Sequence, residues 1–211
     1  MRARPTIAFI AITSALVFGA AIAPASAATT TVTTVGEFTT ALADCSSAPN
    51  TIVIGADIVD AANTLTVPCD TTIDLTTNDL TLRTLNIAAG VELEITGPTD
   101  GTEGVLTTNA SSTSQAAIRT TGATLRVTGG EVHATGGFYG TIGGDEGSGG
   151  TFIVEGGTVT AISNAVYGSA IGGANGGGDP GGDGGVVTIS GGSVTAITNS
   201  PYGVAIGSGA G

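Results

Sequence analysis

Two stretches decide the fold: TFIVEGGTVTAISNAVYGSAIGG, residues 151–173, and VVTISGGSVTAITNSPYGVAIGS, residues 186–208. They align without a gap at an offset of 35 residues, which sets Asn164 and Asn199 at equivalent places. A third copy, TLRVTGGEVHATGGFYGTIGG at 124–144, aligns after two one-residue deletions. Each copy holds a GG-x-V-x-A strand, then a Tyr-Gly turn, then an Ile-Gly exit. The connectors DEGSGG and ANGGGDPGGDGG differ by six residues, while the strand segments barely differ. A stacked array behaves this way, because neighbouring units must match in their strands and their loops are free to vary. One unit cannot bury its own apolar face, so it is stacked on others like it. Alternation points Val159 and Ala161 inward and Thr158 and Thr160 outward. Paired glycines suit the corners. Asn164 and Asn199 are placed to form an amide ladder between units. The expectation is a β-solenoid.

The earlier part of the chain keeps the rhythm with different residues. TIVIGADI, NTLTV, TTIDL, DLTLRTLNI, VELEITG, GVLTT, AAIRTTG and ATLRVTG are short runs with apolar residues at alternate positions and turn residues between them. In VELEI, Val91, Leu93 and Ile95 point one way and Glu92 and Glu94 the other. Ahead of these runs, TVTTVGEFTTALADCSS predicts a strand and then a two-turn helix, with Val35, Phe38, Ala41 and Leu42 on one face. Composition shifts near Gly122, and 29 of the 36 glycines lie from there onward. The strand rhythm crosses that point, so the chain is expected to be one fold with two styles of coil. Its divisions are an N-terminal cap at 28–44, irregular coils at 45–128 and glycine-rich repeats at 129–211.

Residues 1–27 have the form of a secretory signal peptide: Arg2 and Arg4, an apolar run from Ile7 to Ala23, and the small-residue site Ala25-Ser26-Ala27. Export would leave 184 of the 211 residues, starting at Ala28. Arg83, Arg119 and Arg126 against 17 carboxylates then give a net charge of −14. Such a chain cannot neutralise phosphates, so nucleic acid is not an expected partner, and an anionic bilayer would repel it. After the leader no apolar run approaches the length of about 18 residues that a membrane span requires. The expected location is secreted or extracellular, with any surface attachment through sequence beyond Gly211. Cys45 and Cys69, an even pair in an exported chain, predict one disulfide.

TVTTVGEFTTALADC resembles the opening of right-handed parallel β-helix proteins of the pectate-lyase-like superfamily, which often start with a strand and a short helix capping the first coil. The GG-x-V-T-A…YG-x-A-I-G coils resemble repeats of large bacterial cell-surface, adhesin-like proteins. The resemblance covers about residues 30–211. It implies an all-β fold, a single-stranded right-handed parallel β-helix with a short N-terminal capping helix. Enzymes of that superfamily carry an aspartate cluster for Ca²⁺ with a basic proton acceptor, or Asn-Thr-Asp, Asp-Asp, Gly-His-Gly and Arg-Ile-Lys motifs. None of these patterns occurs here, and the chain after Arg4 has no lysine. Glu92 and Glu94 share a strand face but read as solubilising residues. His133 aligns with the outward Thr160 and Thr195.

The remaining candidates are ligand sites. Asp145, Glu146, Asp179 and Asp183 sit in glycine-rich connectors, where carboxylates and carbonyls supply the hard oxygens that calcium takes. Asp57, Asp60, Asp70, Asp74 and Asp79 form a second acidic region without a motif. Tyr139, Tyr167 and Tyr202 recur at one place in the repeat. Facing out, they would make a ring platform for sugars; facing in, an aromatic ladder at a corner. Phe138 and Phe152 read as core. The function expected is that of a non-catalytic cell-surface or extracellular-matrix protein, an adhesin-like stalk or interaction module touching polysaccharide or host and cell-surface glycans. The alternatives are a calcium-assisted carbohydrate-binding module and a polysaccharide lyase or hydrolase without recognisable motifs. The last coil carries no cap of its own, so the chain is expected to continue past Gly211, or that coil to dock on a partner or on itself.

Overall fold

The computed structural model describes residues 27–110, 115–136, 140–144, 149–166, 168–173 and 183–208. Residues 1–26, Phe138, Tyr139, Asp145, Glu146, Tyr167 and Asp179 lie outside the described residues. The described chain is mostly β, with parallel strands in two sheets and one short helix.

One sheet joins Thr29–Val32, Asn50–Ile54, Thr71–Asp74, Glu92–Thr96, Thr124–Val127, Thr151–Val154 and Val186–Ile189, each parallel to the next and in chain order. The second sheet has two arms that meet in Leu80–Ile87. Leu80–Leu82 begins the arm that runs through Val105–Asn109, Glu131–Gly136 and Thr158–Ser163 to Ser193–Thr198. Leu85 and Asn86 begin the arm that runs through Ile118–Arg119, Ile142–Gly143 and Ile171–Gly173 to Ile206–Ser208. Ile58–Val67 pairs with both halves of Leu80–Ile87, across a register shift between Asp60 and Thr64. There are therefore three parallel ladders. From Asn50 onward the chain visits the first sheet, then one arm, then the other, and repeats that order six times among the described residues.

In-register rows of apolar residues fill the interior. Ile73, Ile95, Val127 and Val154 form one row in the first sheet, and all are fully buried. Leu85, Ile118, Ile142 and Ile171 form another, equally buried. Burying each such side chain stabilises the fold by roughly 1.5–3 kcal/mol. From Leu82 onward its row shrinks, to Thr108, Ala134 and Ala161. Val159, Ala161 and Phe152 are buried, as their alternation requires. The offset of 35 residues is the register itself: Val159 pairs with Val194 and Ile171 with Ile206.

The helix Val35–Ala43 buries Phe38 and Leu42 and packs on the first strands. Thr34 caps it by accepting the Glu37 N–H at 3.3 Å. Glu37 reaches back, and its carboxylate accepts from the Thr33 N–H at 2.8 Å and the Thr33 hydroxyl at 2.9 Å. This exchange is a form of capping box. It holds the Glu37 carboxyl below its ordinary value, through the Thr33 N–H first and the Thr33 hydroxyl second. The predicted disulfide is present: Cys45, just past the helix, joins Cys69, 24 residues on.

Candidate functional site

The corners explain the acidic region at residues 57–79. Asp57, Asp79, Val105, Glu131, Thr158 and Ser193 occupy equivalent positions at the start of one ladder. In the early repeats the N–H at this position bonds to a carboxylate one repeat back. Asp79 N–H donates to Asp57 Oδ1, and Val105 N–H to Asp79 Oδ1, both at 3.0 Å. In the later repeats the same N–H bonds to a glycine carbonyl: Glu131 to Gly104, Thr158 to Gly130, Ser193 to Gly157. The first sheet makes the same change. Glu92 N–H donates to Asp70 Oδ1 at 2.9 Å, whereas Thr124, Thr151 and Val186, at the equivalent position, donate to the carbonyls of Val91, Ala123 and Gly150. Asp57, Asp70 and Asp79 thus stand in for backbone carbonyls. Asp74 accepts from the Thr76 N–H, and Asp60 from the Asn63 amide. Sequence reading gave these residues no such role, because their 22- and 26-residue separations hide a common register.

The outer face of the first sheet carries the ion pairs. Arg126 lies between Glu92, at 2.7 Å, in the strand on one side of its own, and Glu155, at 2.9 Å, which follows the strand on the other side. The hydrogen bond to Glu92 is the largest cause of the rise in the Arg126 pKa. Both pairs are largely solvated, so each stabilises by no more than about 1 kcal/mol. Glu94 accepts from the hydroxyl of Thr72 on one neighbouring strand and from that of Thr128, just past the end of the other. Beside them a shallow recess of about 300 Å³ is lined by Pro49, Asp70, Thr71, Thr72, Glu92 and Glu94. The two glutamates that share this face are therefore engaged with neighbouring strands.

His133 stands in register with Thr107, Thr160 and Thr195 on an outward row, 2.7 Å from Glu131. The expected amide ladder is present, with Asn199 Nδ2 donating to Asn164 Oδ1 at 2.9 Å. Of the expected calcium ligands only Asp183 is described. It lines an open groove of about 730 Å³ along the corner made by Gly90, Gly122, Gly150 and Gly185. Among the described residues no three His, Cys, Asp or Glu side chains converge on a position for a metal ion. Of the repeated tyrosines only Tyr202 is described, and it is 57% exposed. No described helix is long and apolar enough to cross a membrane.

No family model, curated protein or solved structure matches the chain.

Proposed function

We propose that this chain is a secreted, non-catalytic, right-handed parallel β-helix of the pectate-lyase-like kind, serving as a stalk or interaction module at a cell surface or in an extracellular matrix. The repeated visiting order of three parallel ladders supports the winding. Right-handed crossovers between parallel strands are the rule. One observation carries the functional reading: among the described residues the outward polar groups of the first sheet and of the corners bond to the neighbouring repeat, Glu92 and Glu94 beside their shallow recess included. Arg126 joins three successive repeats, the aspartates hold corners, and Asn164 and Asn199 join two repeats. Side chains used in this way stiffen a rod along its stacking direction and leave its flat faces for contact.

The partner class proposed is polysaccharide, on the cell's own surface or on a host's. The second reading, calcium-assisted carbohydrate binding, rests on Asp183 at the edge of the long corner groove. The experiment is retention of the chain from Ala28 onward on insoluble and arrayed polysaccharides, in Ca²⁺ and then in chelator, with the eluate assayed for sugar products. Retention without products supports the interaction module, and loss of retention in chelator selects the calcium-assisted form. Products released from an acidic polysaccharide would contradict the non-catalytic reading. Absence of retention on every glycan would reject the glycan partner and leave the stalk.

A further inference from the structure

Cys45 follows Asp44, the C-cap of the helix Val35–Ala43, and Cys69 lies two residues before the strand Thr71–Asp74. Between them run Asn50–Ile54 and Ile58–Val67, the whole of the first repeat. The disulfide therefore passes over that repeat and ties the cap to the start of the next. In a stack each layer touches only its neighbours. With two cysteines in the chain, this is the one covalent tie that skips a layer.

Other contacts hold the cap less firmly than they hold the repeats. The helix packs chiefly on Ile58–Val67 and buries two large side chains, Phe38 and Leu42. Thr29–Val32 pairs with Asn50–Ile54 and, among the described residues, with no other strand. Three of its four residues are exposed. Asn50 fastens the segment after the helix: its amide donates to the Asp44 carbonyl and its Oδ1 accepts from the Ser47 hydroxyl at 3.1 Å. The first repeat, by contrast, is joined to the second without the cysteines. Ile58–Val67 pairs with Leu80–Ile87 at seven positions, and Asn50–Ile54 with Thr71–Asp74 at four.

The bond is open to attack, because Cys45 is exposed and Cys69 is half-buried. Exposed disulfides are the labile ones that thiols reach. We propose that Cys45–Cys69 is a redox clasp on the cap: a dithiol reductant breaks it in the folded protein, and Thr29–Val32 and the helix Val35–Ala43 then open together while the repeats beneath stay folded. One thiolate of the reductant attacks Cys45 Sγ. The Cys45–Cys69 bond breaks, and Cys69 leaves as a thiolate that takes up a proton. The second thiolate of the reductant attacks the reductant sulfur of the mixed disulfide, closes the reductant's own disulfide and releases Cys45. The protein gains two electrons and two protons, and the dithiol loses them. Opening frees the edge of Asn50–Ile54, a template for strand addition in the reduced form alone. The inference does not depend on the glycan reading.

The test is hydrogen exchange read by mass spectrometry on the chain from Ala28 onward, which contains every element described. Exchange is compared in the oxidised protein and after dithiothreitol without denaturant, with the two thiols counted by alkylation. The expected result is complete reduction, exchange faster by about a hundredfold across the cap, and unchanged protection in Leu80–Ile87 and Thr158–Ser163. Reoxidation should restore the cap. Cys45→Ser combined with Cys69→Ser should show the reduced pattern with no thiol added, and the reduced natural chain keeps the test valid if that variant fails to fold. A disulfide that reduces only in denaturant overturns the proposal. So does a cap as well protected after reduction as before. Loss of protection in all repeats alike overturns it as well, because the bond would then be a staple of the whole fold.

Discussion

The early repeats, from Asn50 to Asn109, and the later ones, from Thr124 to Ser208, follow the same three ladders but satisfy them by different chemistry. Early repeats fill the interior with Leu and Ile and complete their corners with aspartate carboxylates. Later repeats mix Val and Ala with Leu125, Ile142, Phe152 and Ile171 inside, and complete their corners with backbone carbonyls, glycine's in the ladder that holds Thr158. Gly157 shows why glycine is needed. Its φ is +69°, and a Cβ there would meet the Gly130 carbonyl. Close backbone stacking lets one repeat bond directly to the next. Where the corner residue is Asn78 instead of a glycine, a carboxylate supplies the acceptor. The difference teaches that one architecture is reached either by side chains that reach across or by backbones that approach closely.

The contrast in core size gives the largest expected effect. Leu82→Ala should cost about 3 kcal/mol, because a full side chain leaves a packed interior. Its counterpart Ala161 tests the converse: Ala161→Leu should also destabilise, by about 1–3 kcal/mol, through overpacking. Urea melts of both variants would measure this. A neutral Leu82→Ala would mean that the early interior is not packed as described.

Next comes the corner. Gly157→Ala must adopt a left-handed conformation, at about 1–2 kcal/mol, and it also crowds the Gly130 carbonyl. A loss of about 2 kcal/mol or more in the same melts is expected, and a loss near zero would show that the close approach is not needed. The smallest effect belongs to the aspartate corner. Asp79→Ala leaves the Val105 N–H without its carboxylate, for a loss of about 1 kcal/mol. Asp79→Asn, which keeps an acceptor oxygen, should recover most of it. Equal losses in the two variants would indicate that charge, not the hydrogen bond, matters there.

Much of this was legible in the sequence. Alternation located the inward residues, and the repeat of 35 residues is the register between Thr151–Ser208 strands. The helix and its buried Phe38 and Leu42 follow from their spacing, and the disulfide from the even cysteine pair. The corner chemistry was not legible. Asp57, Asp70 and Asp79 look like an acidic patch until strand pairing shows which N–H each one faces. Nor does alternation show that Arg126 lies between Glu92 and Glu155, since their partnership depends on register across 34 and 29 residues.

The most direct test of the contrast is native-state hydrogen exchange on two strands that each have neighbours on both sides, Leu80–Ile87 and Thr158–Ser163. Each lies one strand in from an end of its ladder, so end fraying bears on both alike and the difference in protection reports local packing and hydrogen bonding. The account predicts that Leu80–Ile87, with its larger buried side chains, exchanges more slowly than Thr158–Ser163 and opens at higher denaturant. Equal protection, or slower exchange in Thr158–Ser163, would contradict it and make glycine stacking the stronger of the two devices.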